Sequence, residues 1–221
     1  MVNSLINLAG FDALIFDLGG VIINLDYQRT IDALSAHCGF DVASLYTQQA
    51  QTDLFNKFEA GLIEAAEFRA GLRSLLKLSE TQLSDRDLDT AWNALILDVP
   101  VARLEFLKSL KKTSTPTFSL SNNNAIHKAR CDELLRETTK DTEARWDDYF
   151  AKAYFSHEMG DRKPNASIFQ RVIDEQQLKP ERTLFLEDTP KNIAGARSLG
   201  LQTLQITAAV EIAHLPYVGL V

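Results

Sequence analysis

Four short stretches of the chain carry residue types suited to moving a phosphoryl group: Asp17, Ser121-Asn122, Lys163 and Glu187-Asp188. A carboxylate such as Asp17 can attack phosphorus and form an aspartyl-phosphate, which splits hydrolysis into two easier steps. Bringing an anion up to a phosphate needs compensation, and a hard cation held by oxygen ligands supplies it. A lysine and a hydroxyl can hold the remaining oxygens where transition-state charge develops. Each stretch alone has a plainer reading. Asp17-Leu18-Gly19-Gly20 is an ordinary strand-ending turn, and Asp188-Thr189-Pro190 can simply cap a helix. Lys163-Pro164 can be an exposed lysine at a helix start, and Ser121–Asn124 a polar loop. Only their joint placement argues for chemistry.

That placement comes from the elements around them. Ala13–Phe16 is an apolar run, as are Thr117–Leu120, Thr183–Leu186 and Thr203–Ile206. Short apolar runs bounded by turn residues fit strands buried on both faces, as in a parallel sheet. Ala153–Ser156 is a candidate fifth strand. Helical spacing separates the later runs, at Leu104, Leu107 and Leu110, at Ile168, Phe169, Val172 and Ile173, and at Ile193, Ala194 and Leu199 before Gly200. The expected fold is α/β, a doubly wound parallel (Rossmann-like) sheet. Ligands bind such sheets at the carboxyl ends of the strands, where Asp17, Ser121-Asn122 and Glu187-Asp188 fall.

From about Asp26 to Pro100 the texture changes to helical spacing alone: Tyr27, Ile31, Leu34 and Cys38; Ala65, Phe68, Leu72, Leu75 and Leu76; Leu88, Ala91, Trp92 and Leu95. This predicts a helical bundle inserted after the first strand, with domains at 1–25 and 100–221 (the sheet) and 26–99 (the bundle). The charged segment Ala125–Phe150 reads as one long helical crossover. Trp92 and Trp146 read as core residues, and His157 and His214 as surface or packing residues.

In chain order, Phe16–Val21 (Phe-Asp-Leu-Gly-Gly-Val), Leu120–Asn123 (Leu-Ser-Asn-Asn), Arg162–Pro164 (Arg-Lys-Pro) and Leu186–Asp188 (Leu-Glu-Asp) resemble the four motifs of the haloacid dehalogenase-like hydrolases. The resemblance spans nearly the whole chain, and the helical insert looks like that family's cap. It implies that Asp17 is the nucleophile. Mg²⁺ would be bound by Asp17, the Gly19 carbonyl and Asp188, with Glu187 as ligand or just behind. Ser121 and the Asn122 amide would take phosphate oxygens, Lys163 would bridge phosphate and Asp17, and Asn192 would stand near the metal. The Glu59–Ile63 stretch, Glu59 and Gly61 included, would be a specificity loop by the same analogy.

Gly19 departs from the pattern. Phosphatases of this family usually carry a second Asp there as general acid and base, and glycine transfers no proton. Loss of acid catalysis is typically worth about 10²–10⁴ in rate; Asp26 and His127 are the candidate substitutes. A subgroup similar to bacterial sugar-1-phosphate phosphatases shares the Asp-Leu-Gly start. Halide-displacing members carry a larger aromatic after the nucleophile and need no Mg²⁺, which argues against dehalogenation.

Composition narrows the partners. At 45% hydrophobic the chain has material for a core of its own. With a net charge of −7 and scattered basic residues, Lys111-Lys112 the longest run, it is not expected to bind nucleic acid or anionic lipid. Cys38 and Cys131 have no neighbours at ligand spacing and read as two thiols in a reducing cytoplasm. No apolar run reaches the roughly 20 residues of a membrane span, and Met1–Gly10 lacks a signal-peptide pattern. The tail Thr207–Val221 is mildly apolar and suits packing on the core or on another subunit. The expected partner is a small phosphorylated metabolite, most simply a sugar phosphate; the oligomeric state is left open. Two other readings stay open: a phosphomutase or phosphotransferase using the same intermediate, and a phospholigand-binding protein weak in chemistry.

Overall fold

Ala13-Leu14-Ile15-Phe16 offers apolar side chains to both of its faces, and the fold covers both. In the computed structural model, which describes residues 7–43, 53–207 and 210–215, this run is β1 (Ala13–Phe16), the middle strand of a five-stranded parallel sheet. The others are β2 (Thr117–Ser121), β3 (Lys152–Phe155), β4 (Thr183–Glu187) and β5 (Gln202–Gln205), in the order β3-β2-β1-β4-β5. Phe16 pairs with Ser119 on one side and Leu186 on the other. The register therefore sets the ends of the three central strands level on one rim.

Among the described residues, five helices separate β1 from β2: α1 (Tyr27–Cys38), α2 (Asp53–Glu59), α3 (Ala65–Leu76), α4 (Asp85–Asn93) and α5 (Val101–Leu110). After β2 comes α6 (Ala125–Thr139), after β3 the short α7 (Ser156–Met159) and α8 (Ala166–Gln176), and after β4 comes α9 (Pro190–Arg197). Strand alternation sorts the core into two faces. Ala13, Ile15 and Phe185 pack with Ile168, Phe169 and Val172 of α8 and Ala196 of α9. Leu14, Phe16, Leu184 and Leu186 face the other way, with Leu107 of α5 and Leu135 of α6. Both faces are covered, which is the doubly wound arrangement.

The segment 125–150 is not one helix. It stops at Thr139, where Lys140 turns left-handed (φ 56). Ala144, Trp146, Tyr149 and Phe150 then bury themselves as an irregular plug, Phe150 6.3 Å from Phe16 between ring centres. The short helix before Gly200 already ends at Arg197. The expectation for Thr207–Val221 falls partly outside the described residues; within them Ile212 is buried.

Helices α1 to α4 form the inserted helical cap. Its centre is aromatic: Phe55 stacks on Trp92 at 5.4 Å and Phe58 on Phe68 at 4.1 Å. Asp26 caps α1 by accepting from the Gln28 amide, and Ser84 caps α4 by accepting from Asp87. Chain leaves and returns along one ribbon, with Asn24 N to Asp98 O at 2.9 Å, Leu97 N to Asn24 O at 3.0 Å and Asp26 N to Leu95 O at 2.9 Å. Among the described residues no helix is long and apolar enough to cross a membrane.

Candidate active site

Asp17 is the first residue beyond β1, its amide still bonded to the Leu186 carbonyl at 2.9 Å. The turn that follows closes tightly against β4. A Cβ on Gly20, which has φ +75, would lie 2.2 Å from Asp188 Oδ2. Only glycine lets the turn and the Asp188 carboxylate come that close. At Gly19 the space a side chain would fill is taken by Leu25, whose Cδ1 is 2.8 Å from where a Cβ would sit.

Lys163 arrives from the loop before α8 and is fully buried, so the exposed-lysine reading fails. Its Nζ lies 3.0 Å from Asp17 Oδ1 and 2.7 Å from Glu187 Oε2. Asn122 fixes that loop with its side chain, accepting from Lys163 N and donating to Lys163 O, both at 2.9 Å. Glu187 also accepts from the Thr189 amide at 3.0 Å and from Asn192 Nδ2 at 3.1 Å. The Asp188 carboxylate accepts from the Thr189 hydroxyl at 2.9 Å and does not cap α9; the cap position is Thr189.

The charges are crowded. Burial, then the neighbouring Glu187, pushes the Asp17 carboxyl well above the usual range, against the pull of Lys163. Burial and Glu187 likewise push Asp188 up to about 6. For Lys163 burial favours the neutral form, but Asp17 and Glu187 outweigh it and hold the ammonium charged. Burial would also raise Glu187, and Lys163 reverses it to a net lowering. Three carboxylates face one lysine, and oxygens of Asp17, Glu187 and Asp188 come within 4.8 Å of one another. An all-oxygen donor set with uncompensated negative charge fits a hard divalent cation.

These groups open onto a cavity of about 290 Å³, at the small end of ligand sites. Of the residues singled out from sequence, Asp17, Gly19, Glu59, Asn122, Lys163, Asp188 and Asn192 line it. Glu187 lies buried behind Lys163. Ser121, at the end of β2, lines an adjoining smaller cavity together with Asn122 and His127. Gly61 sits against the core, where a Cβ would come 2.0 Å from the His157 carbonyl oxygen. Asp26 is not brought to the main cavity; it caps α1 and pairs with Arg29 at 3.7 Å. His127 has both ring nitrogens engaged, with Asn124 Nδ2 at 3.0 Å and Trp92 O at 3.1 Å.

Tyr27, Asn56, Arg162, Thr189 and Lys191 also line the cavity, and sequence reasoning gave them no role. Arg162 was in view as part of Arg-Lys-Pro, but nothing in the motif told where its side chain goes. Asn56 lies on α2, a seven-residue helix too short to show a period.

The model of the haloacid dehalogenase-like hydrolase family matches residues 11–200. The chain belongs to this family. A D-ribitol-5-phosphate phosphatase of Bacteroides thetaiotaomicron is 29% identical over 193 residues, covering 87% of this chain and 90% of that one. A family enzyme of the same organism, crystallised with magnesium and inorganic phosphate, superposes with a TM-score of 0.84 at 33% identity, covering 93% of this chain and 98% of the other. A family hydrolase of Porphyromonas gingivalis superposes with a TM-score of 0.76 at 29% identity, covering 89% and 91%.

Proposed function

We propose that this family member is a Mg²⁺-dependent phosphatase that hydrolyses a small phosphorylated metabolite, most simply a sugar phosphate, through an aspartyl-phosphate on Asp17. The observation that carries the reading is the Lys163 ammonium, fully buried and bonded to both Asp17 and Glu187 on the rim of the sheet. A buried charge of this kind is costly unless paired, and here it is paired with the proposed nucleophile. The phosphatase relative and the neighbour crystallised with magnesium and phosphate support the same reading.

Asp17, Asp188 and the Gly19 carbonyl, with Glu187 as ligand or just behind, would hold the ion. Bound there, Mg²⁺ supplies positive charge to the phosphoryl oxygens. The chain's own groups do the rest. Lys163 pulls the Asp17 carboxyl toward its ionised form, against burial and Glu187, and faces the transferring group. Ser121 and the Asn122 amide take phosphate oxygens, while the Asn122 side chain holds the Lys163 backbone in place. Asp17 attacks phosphorus and the bond to the leaving oxygen breaks; water then opens the aspartyl-phosphate, releasing phosphate and restoring Asp17. Residue 19 offers no proton, so the leaving oxygen takes its proton from elsewhere. The bundle 26–99 acts as cap to the core 1–25 and 100–221, and limits water at the site.

The test is free-phosphate release from a panel of phosphorylated sugars and other metabolites, with Mg²⁺ and with a chelator. Release that requires Mg²⁺ is expected. No release from folded protein that binds Mg²⁺ would shift the assignment to phosphoryl transfer or to binding alone.

A further inference from the structure

The chain after β5 touches both of the segments that frame the proposed metal site. Beside β4, Ile206 N donates to the Glu187 carbonyl at 2.9 Å, and Gln205 Nε2 to the Asp188 carbonyl at 3.3 Å. Further on, Glu211 meets Arg103 of α5 in a two-pronged ion pair, Nε to Oε1 and Nη2 to Oε2, both at 2.9 Å. The third nitrogen of Arg103 turns to the loop that follows Asp17. Its Nη1 donates to Asn24 Oδ1 at 2.9 Å and reaches the Ile22 carbonyl at 3.4 Å. Gln205, Ile206 and Glu211 thus tie the end of β4 and the turn of Gly19 to one stretch of chain.

Packing does not hold the turn on this flank. A cavity of about 400 Å³ lies between Gly20, Asn24 and Leu25 of the turn and Ile206, Thr207 and Val210. Atoms that face a cavity make no packing contacts there, so the turn depends on its polar ties. Arg103 suits that task, because a guanidinium fork on a carboxylate fixes geometry as well as adding attraction. Ile212, beside Glu211, is buried in the same apolar cluster as Leu104 and Leu107 of α5, which anchors the carboxylate. Tolerance at the turn is small. Gly20 sits so close to Asp188 that a Cβ would lie 2.2 Å from its Oδ2, and outward drift would open the gap between Gly19 and Asp188.

We propose that Arg103 and Glu211 are positioning residues that set the affinity of the rim for Mg²⁺, by holding the turn of Gly19 and Gly20 against Asp188. The proposal rests on the metal site of the phosphatase reading. Arg103 acts through Asn24 and the Ile22 carbonyl, and Glu211 acts through Arg103. Groups that orient metal ligands from behind typically govern metal affinity by about 10–100-fold. A backbone carbonyl such as that of Gly19 has no rotamer to adjust, so the turn itself must be held.

Mg²⁺ binding to the full chain is measured by titration calorimetry without substrate, and phosphate release from 4-nitrophenyl phosphate is followed as Mg²⁺ is varied. Arg103→Met should weaken Mg²⁺ binding at least about tenfold. KM for the ester at saturating Mg²⁺ should stay within about twofold of wild type. Glu211→Gln, which leaves Arg103 its bonds to the turn, should weaken Mg²⁺ binding less. Asn24→Ala cuts the same link from the turn's side, so combining it with Arg103→Met should add little. Arg69→Met removes an equally well paired arginine within the cap, bonded to Asp89 at 2.8 and 2.7 Å. It should leave Mg²⁺ affinity within about twofold of wild type. Wild-type affinity in folded Arg103→Met, or an equal loss in Arg69→Met, would overturn the proposal. If Arg103→Met does not fold, wild-type affinity in both Glu211→Gln and Asn24→Ala would overturn it. Affinity losses as expected in a chain that releases no phosphate would keep the brace and remove the phosphatase reading. A wild-type chain that binds no Mg²⁺ would remove both.

Discussion

Lys163 and His127 are both titratable groups enclosed by the fold, and the fold treats them oppositely. Lys163 stays charged because two carboxylates lie within 3.0 Å of its Nζ. His127 has no such partner. Its ring stacks on Trp92 at 4.9 Å, and burial brings the imidazole down to about 4. Its partners set the tautomer: the Trp92 carbonyl can only accept from Nε2–H, and the Asn124 amide nitrogen can only donate to Nδ1. The Thr30 hydroxyl donates to that same Trp92 carbonyl at 3.1 Å. One carbonyl therefore ties α1, α4 and α6 together without any charge. The rim of the sheet holds its buried ions in pairs, and this contact of α1 and α4 with α6 is made without them.

The largest test of the contrast is Asp17→Asn. Phosphate release should fall by at least about 10⁴-fold, as for the loss of other covalent nucleophiles. The melting temperature should hold or rise, because one of three crowded carboxylates becomes neutral. Turnover within tenfold of wild type would remove Asp17 as nucleophile. Lys163→Met comes next, since it leaves Asp17 and Glu187 buried without their counter-charge. Stability in denaturant should drop by about 3–5 kcal/mol, and added Mg²⁺ should recover part of it. An unchanged midpoint would mean that the lysine is not what balances the rim.

The smallest effect belongs to the neutral joint. An unfolded His127 takes its proton near pH 6.5 and the folded one only near 4. Protons therefore favour the unfolded chain between these values. The stability His127 contributes is complete above pH 6.5 and is lost as pH falls to 4, up to about 3 kcal/mol. Subtracting the pH–stability curve of His127→Gln from that of the wild type should isolate this slope. A difference that stays flat from pH 7 to 4 would mean that the imidazole is not held neutral.

The strands and the rim were legible in the sequence because apolar runs ended in polar residues at positions that topology brings together. Asp17, Lys163, Glu187 and Asp188 needed only that order. Less legible was whatever depended on side-chain direction. Asn122 suggested an amide for phosphate, and its side chain turns out to clamp the Lys163 backbone. Asp26 had the chemistry of a proton carrier but is occupied in starting a helix. Tyr27, one residue on, lines the cavity instead. The composition of 125–150 suggested helix throughout, and the burial of Trp146, Tyr149 and Phe150 overrode it. The close neighbour of Gly19 is Leu25, six residues on, whose Cδ1 would lie 2.8 Å from a Cβ there, and no local pattern could announce that contact.

The ribbon formed by Asn24–Asp26 and Leu95–Asp98 has a consequence for how such proteins diversify. Because departure and return share hydrogen bonds, the chain of the insert leaves and rejoins the rest of the molecule at one place. Helices can be added, lost or exchanged there while the register of β1 with β2 and β4, and with it the carboxylates of the rim, stays as it is. The insert behaves as a cassette: selection can rewrite the preference for a substrate in one stretch of gene while the chemistry is inherited unchanged from the other.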